Sequence, residues 1–216
     1  TASQRYFQRP DATHLTFDPT RTHLEGVGAL GSITRSGGDH WRGAVGVNSR
    51  SPGMEVNDIG FQRRADYWIN WVWLQYRDDK PGQIFRRYHL NTNEWSYANW
   101  APQLTAWGGN INGQAVFANQ WSAGGGVNWT IDRWDTKLLR GGPAVLSQSS
   151  YSIFGHVASD DRKKVRAEVN GEFGYQPGNG SWSASAGGGL AVQALSNLDL
   201  GIGPFVRKRI DDLQYV

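Results

Sequence analysis

The sequence has no cysteine and a single methionine. Missing thiols exclude a disulfide scaffold, a cysteine-ligated zinc or iron–sulfur site and a thiol nucleophile. A dominant charge is lacking too: 22 basic residues stand against 19 acidic ones, a net charge of +3. The basic residues are scattered. Their tightest run, Arg162-Lys163-Lys164, follows Asp160-Asp161 and reads as a solvated turn, so no nucleic-acid partner is expected. No stretch approaches the ~18–20 apolar residues of a membrane-crossing helix. There is no signal peptide, and the chain opens on Thr1 and not on Met, so a processed chain or a piece of something longer is expected.

Glycine (28 residues) and tryptophan (11 residues) are abundant, and only 19% of the chain is charged. So many aromatics would not stay solvated in a disordered chain. The ordering principle is alternation. Val165, Ala167, Val169, Gly171, Phe173 and Tyr175 interleave with Arg166, Glu168, Asn170 and Glu172. Trp121, Ala123, Gly125, Val127, Trp129 and Ile131 interleave with small and polar residues, as do Trp182, Ala184, Ala186, Gly188, Leu190 and Val192. Period two with one apolar face is the signature of a strand.

Turn signals divide the chain into about ten strands, near 21–35, 40–49, 61–77, 83–97, 103–117, 120–131, 144–158, 162–176, 181–195 and 197–209. The expected fold is all-β, an antiparallel up-and-down meander of about ten long strands. It forms a β-barrel or part of a larger outer-membrane barrel, with residues 1–216 as one barrel-type domain. Several strands reach the ~9–11 residues that a tilted strand needs to cross a bilayer. Connections after odd-numbered strands are tight and those after even-numbered ones mostly longer, the arrangement of outer-membrane barrels. Trp95, Tyr97, Trp100, Trp41, Trp121 and Trp182 sit near strand ends, and Tyr67, Trp68, Trp71 and Trp73 crowd the third strand; aromatics so placed suit interfacial girdles.

Catalytic patterns are sparse. His14, His23, His40, His89 and His156 show no metal-ligand spacing, and no metal or other cofactor is expected. There is no Gly-x-Ser-x-Gly elbow. Glu168 and Glu172 share one strand face at ~13 Å, beyond the ~5–9.5 Å of glycosidase carboxylate pairs. No catalytic residue is expected; if the chain is an enzyme, Glu168, Glu172 and Asp199 are the carboxylates to consider. The residues expected to line a polar lumen or hold a ligand are Arg86, Asn91, Arg166, Glu168, Asn170 and Glu172. Between Ser51 and Gly60, Pro52-Gly53 sets a turn; the stretch reads first as a plain capped loop, with Glu55, Asn57 and Asp58 as the loop candidates for a calcium or sugar contact.

Three segments stand out: Arg50-Ser51-Pro52-Gly53-Met54-Glu55-Val56-Asn57-Asp58-Ile59-Gly60-Phe61, Leu139-Arg140-Gly141-Gly142-Pro143-Ala144 and Asp211-Asp212-Leu213-Gln214-Tyr215-Val216. With Arg9-Pro10-Asp11 and Asp18-Pro19-Thr20-Arg21-Thr22, the chain resembles the barrel-type domain of unknown function that follows a family-9-like carbohydrate-binding domain in large Gram-negative outer-membrane proteins. The resemblance implies an outer-membrane β-barrel of unassigned activity linked to surface glycan handling. The expected function is a pore, a transport shell or an anchor without chemistry of its own, in contact with lipid and with oligosaccharide or polysaccharide. The family's proteins are longer, and this chain stops at Tyr215-Val216 without a C-terminal aromatic, so it is expected to be a slice of a longer barrel. A soluble β-rich glycoside hydrolase and a carbohydrate-binding β-sandwich are the alternatives.

Overall fold

A computed structural model describes residues 9–16, 18–56, 60, 62, 64–131, 133–136, 138–139 and 141–212. Its strands are β1 (Gly28–Arg35), β2 (Trp41–Arg50), β3 (Tyr67–Asp78), β4 (Phe85–Ala98), β5 (Leu104–Phe117), β6 (Ser122–Ile131), β7 (Arg133–Asp135), β8 (Val145–Ser147), β9 (Ser150–Ala158), β10 (Val165–Gln176), β11 (Ser181–Leu195), β12 (Leu198–Ile202) and β13 (Phe205–Ile210). Among the described residues there is no helix. The two short strands β7 and β8 pair with each other as a separate hairpin. All the others form one antiparallel meander, β1-β2-β3-β4-β5-β6-β9-β10-β11, closed off by β12 and β13 side by side with β11.

β12 and β13 are one ribbon. Leu190 faces Ile202 and Gly187 faces Phe205 in a single unbroken register. The interruption falls at Gly203-Pro204, where Gly188 N–H donates to the Pro204 carbonyl at 3.1 Å but Pro204 has no N–H to return. An edge strand tolerates that loss. Eleven strands with two in one ribbon make a sheet ten ribbons wide, as the alternation predicts. Among the described residues the sheet is open: β1 pairs only with β2, and β12 and β13 only with β11.

Some boundaries differ from the sequence reading. Residues 21–27 are not strand, and β1 begins at Gly28; the backbone at Glu25 and Gly26 packs instead against Gly53 and Met54. The sorting of connections rests on two loops, 51–66 and 132–149. The other two at that end, 99–103 and 177–180, are as tight as the turns opposite.

Register assigns every strand residue a face, because directly paired residues point the same way. One face carries Val45, Val72, Leu90, Ile111, Val127, Ile153, Val169, Leu190 and Leu200, linked row by row across the sheet. The other carries Gln75, Asn91, Asn112, Asn128, Ser152, Glu172 and Ser185. The apolar face is the more exposed one. In β3 the apolar-face residues Trp68, Asn70, Val72 and Leu74 are exposed while Ile69, Trp71, Trp73 and Gln75 between them are half-buried. Ile153 is 57% and Val169 61% exposed. The only buried hydrophobic residues among those described are Ala65 and Tyr67, so no apolar core lies beneath the sheet.

Glycine has a specific use here. Gly46, Gly109, Gly124 and Gly189 stand directly opposite Trp71, Trp129, His156 and Glu168. In each pair the larger side chain lies over the glycine: a methyl group at Gly46 would come within 2.4 Å of Trp71 Cζ2, and one at Gly124 within 2.5 Å of His156 Cε1. A bulky residue covering its cross-strand glycine fills the gap that the missing side chain leaves.

Candidate functional site

The polar face is built from alternate positions of β2–β6 and β9–β13. At its centre is a connected amide network. The Trp73 indole N–H and the Gln75 amide both donate to Asn91 Oδ1, at 3.2 and 2.9 Å. Asn91 Nδ2 donates to Asn112 Oδ1 at 3.0 Å, and Asn112 Nδ2 to Asn110 Oδ1 at 2.6 Å. Asn93 Nδ2 donates to the same Asn110 oxygen at 2.8 Å. Further along, Asn128 Nδ2 donates to Ser152 Oγ at 2.9 Å. Satisfied networks of this kind hold side chains in one arrangement. Trp71 and Trp95 face each other on the same side, so these two, with Trp73 and Tyr97, belong to the polar face and not to an outer girdle.

The expected lumen residues are placed unequally. Asn91 is the hub of the network. Asn170, Glu172, Glu168 and Arg166 share the polar face of β10, with Asn170 directly opposite Gly187 and Glu172 opposite Ser185. Arg166 donates to Asp199 at 2.5 Å, so Asp199 is engaged by a cation. Arg86 departs from the pattern. It sits in the bulge between Phe85 and Arg87, where the register shifts, and with the Gln120 amide oxygen turned toward it donates twice, at 2.9 Å each. Arg77, Arg87 and His89 gather at the short-turn end of the polar face, Arg77 directly opposite His89. Counting back by twos from Asn91 reaches 89 and 87 and skips 86, a signal present in the sequence.

Glu55 lies half-buried in the 51–66 loop and has a partner, while Asn57 and Asp58 lie outside the described residues. Among the described residues no three His, Asp or Glu stand together to hold a metal.

Apart from Asp160 in the β9–β10 turn, the buried polar residues among those described gather at the long-loop end. Both Asp66 oxygens lie 3.0 Å from His14 Nε2, and Asp66 Oδ1 also accepts from the Trp100 backbone N–H at 3.0 Å. Asp66 holds φ 56°, a left-handed conformation that costs an aspartate little. Arg64 donates to Thr105 Oγ1 at 3.1 Å and lies over the rings of Tyr67 and Tyr97 at 5.8 and 5.2 Å. Burial lowers the Arg64 pKa, with Tyr97 and Asp66 opposing the shift. Arg9, buried, donates to Asp11 at 3.2 Å, and Asp11 accepts from the Ala144 N–H at 2.9 Å. These contacts bind residues 9–14 to the loop end. Histidine spacing gave no hint of the His14–Asp66 pair, because its members are far apart in sequence.

On the apolar face the aromatics form two rows. Trp68, Trp107 and Trp129 lie toward the long-loop end; Trp41, Tyr76, Tyr88, Phe85, Phe117 and Trp121 lie toward the short turns. Trp68 faces Ala98, Trp107 faces Ser96, and Trp129 faces Gly109. The first row thus steps four residues toward the turns between β3 and β6. The second takes the same step: Tyr76 faces Leu90, Tyr88 faces Ala115, and Phe117 N–H bonds to the Trp121 carbonyl at 2.8 Å. From β6 onward, Trp129, Tyr151, Tyr175 and Trp182 continue in one row.

Fold and site together define an all-β protein whose antiparallel meander exposes an apolar face. Residues 9–203 match the model of DUF5916, a domain of unknown function, and the chain belongs to that family. No curated protein and no solved structure matches it.

Proposed function

We propose that the chain forms one barrel-type domain, part of the wall of a longer β-barrel in the outer membrane of a Gram-negative bacterium. Its apolar face meets lipid and its polar face lines an aqueous lumen. In this reading it is a pore, a transport shell or an anchor associated with surface glycan, without chemistry of its own.

The supporting observation is the pair of aromatic rows on the exposed apolar face. Trp68 and Tyr76 lie eight residues apart on β3, as do Trp121 and Trp129 leading into and along β6. Between β3 and β6 both rows shift by four residues, ~14 Å, over three strand spacings, ~14 Å, so there they cross the strands at about 45°; from β6 to β11 the first row runs straight across. Membrane barrels tilt their strands by ~35–45° to the membrane normal. Eight residues span ~27 Å along a strand and ~19 Å at that tilt, and the rings widen this toward the ~25 Å apolar band of such barrels. A soluble sheet has no reason to keep two aromatic rows parallel to each other across β3–β6.

Glycan contact is supported by the polar face. Indoles of Trp71, Trp73 and Trp95 stand beside the Asn91, Asn93, Asn110 and Asn112 amides. Aromatic faces receive the C–H faces of sugar rings, and amides bond their hydroxyls.

Flotation with liposomes tests the membrane reading. The protein is expected to float with the lipid and to resist extraction by carbonate and urea. A monodisperse monomer in detergent-free buffer that stays with the soluble fraction contradicts the reading.

A further inference from the structure

We propose that the polar face carries, at its short-turn end, a binding site for a small multiply charged oxyanion, a free phosphate or polycarboxylate group. The geometry is that of a cavity of about 290 Å³ lined by Gln75, Arg77, Asp79, Arg87, His89 and Gln114. A second cavity of about 560 Å³ shares Arg77, Asp79 and Arg87 with it and adds Arg86 and Gln120.

The charges do not balance. Three guanidinium groups, those of Arg77, Arg86 and Arg87, line the two cavities against one carboxylate, Asp79. Asp79 is paired with Arg77. Asp78 gives no relief, because it faces Tyr88 on the apolar side and accepts from the Lys80 N–H at 2.9 Å.

The strand register forces the cations together. Arg77 is directly opposite His89, and Arg87 lies two residues along β4 on the same face. Arg87 is therefore diagonal to Arg77, ~7–8 Å away between backbones. Guanidinium groups that line one half-enclosed cavity repel, and an anion between them removes the repulsion. Arg binds phosphate and carboxylate through paired, charge-assisted N–H donors, and the Gln75 and Gln114 amides flank the space with further donors.

The site opens on the polar face, with Tyr88 and Phe85 on the other side of the sheet. A dissolved solute therefore reaches it more directly than a lipid headgroup does. Nothing here depends on whether the apolar face meets lipid, so the site stands or falls separately from the membrane reading.

Titration calorimetry with inorganic phosphate, at constant ionic strength and in a neutral detergent, tests the proposal. Saturable binding is expected. Arg87→Gln is expected to weaken it by about tenfold or more, the loss of one charge-assisted pair, and Arg87→Lys by less. Arg162→Gln removes the same charge from a turn at the same end and is expected to leave binding within about twofold of the parent. The proposal is overturned if the parent protein shows no saturable phosphate binding, or if Arg162→Gln weakens it as much as Arg87→Gln. It is also overturned if only micelles containing an anionic lipid bind. Should Arg87→Gln lose its β-sheet circular dichroism, Arg87→Lys decides: undiminished binding in that variant counts against the site.

Discussion

The Trp71 indole lies over Gly46, its direct cross-strand partner, so closely that a methyl group there would stand 2.4 Å from Cζ2. A side chain at that glycine must displace the ring. Gly46→Val is expected to cost about 1–3 kcal/mol, the usual penalty of overfilling a packed site, although valine suits strands better than glycine. Urea unfolding monitored by circular dichroism measures the loss. Gly31, on the neighbouring strand, has only a Val47 methyl within reach, at 3.9 Å. Gly31→Val is expected to change stability far less.

Asn91 accepts two hydrogen bonds and donates one. Asn91→Leu removes all three at once and leaves the Trp73 indole N–H and the Gln75 amide without their acceptor. Each stranded group costs about 1–3 kcal/mol where it is shielded from water. A double-mutant cycle with Asn112→Leu is expected to be non-additive, because the second substitution breaks a bond already lost. Additive losses would show that the amides do not act as a network.

The His14–Asp66 contact binds the N-terminal segment to the loop end. Asp66→Ala is expected to raise hydrogen exchange around residues 12–16 and 99–101 while leaving exchange in β9–β11 unchanged. Asp66→Gly loses the same carboxylate but adopts φ 56° freely. It is expected to be the milder of the two by about 1 kcal/mol. A glycine variant no more stable than the alanine variant would show that the backbone at this position is not under constraint.

Side-chain donation from Arg162, at 2.7–2.8 Å, holds the Asp160 carboxyl down from 3.8 to about 2. A depressed carboxylate stabilises the fold at pH values above the unfolded value and loses that contribution as pH falls through the folded one. The turn between β9 and β10 is therefore expected to weaken between about pH 4 and pH 2. Asp160→Asn abolishes that part of the acid dependence. A carboxyl titration by NMR near the unfolded value would contradict it.

Much of the sheet was legible because alternation carries both strand identity and face. Val165 through Tyr175 reads the same in the sequence and in β10. Register was not legible, since pairing joins residues that no local pattern connects. Gly46 looks like an ordinary small strand residue until Trp71 is placed opposite it. Arg86 is out of phase with Asn91 in a period-two count, which places Arg87 and not Arg86 on the polar face; the one-residue bulge beside Phe85 that accommodates it leaves no local trace. His14 and Asp66 meet only because two irregular segments pack at one sheet end, and irregular backbone leaves no periodic trace.

The central claim is that the apolar face meets lipid, and the absence of cysteine allows it to be probed residue by residue. Single cysteines at Val72, Ile153 and Val169 on one face, and at Gln75, Ser152 and Asn170 on the other, accept a nitroxide in the membrane-reconstituted protein. Collisions with oxygen, which concentrates in the bilayer, are expected to dominate at the first three. Collisions with a water-soluble nickel chelate are expected to dominate at the second three. Equal access of the chelate to both sets would contradict the account.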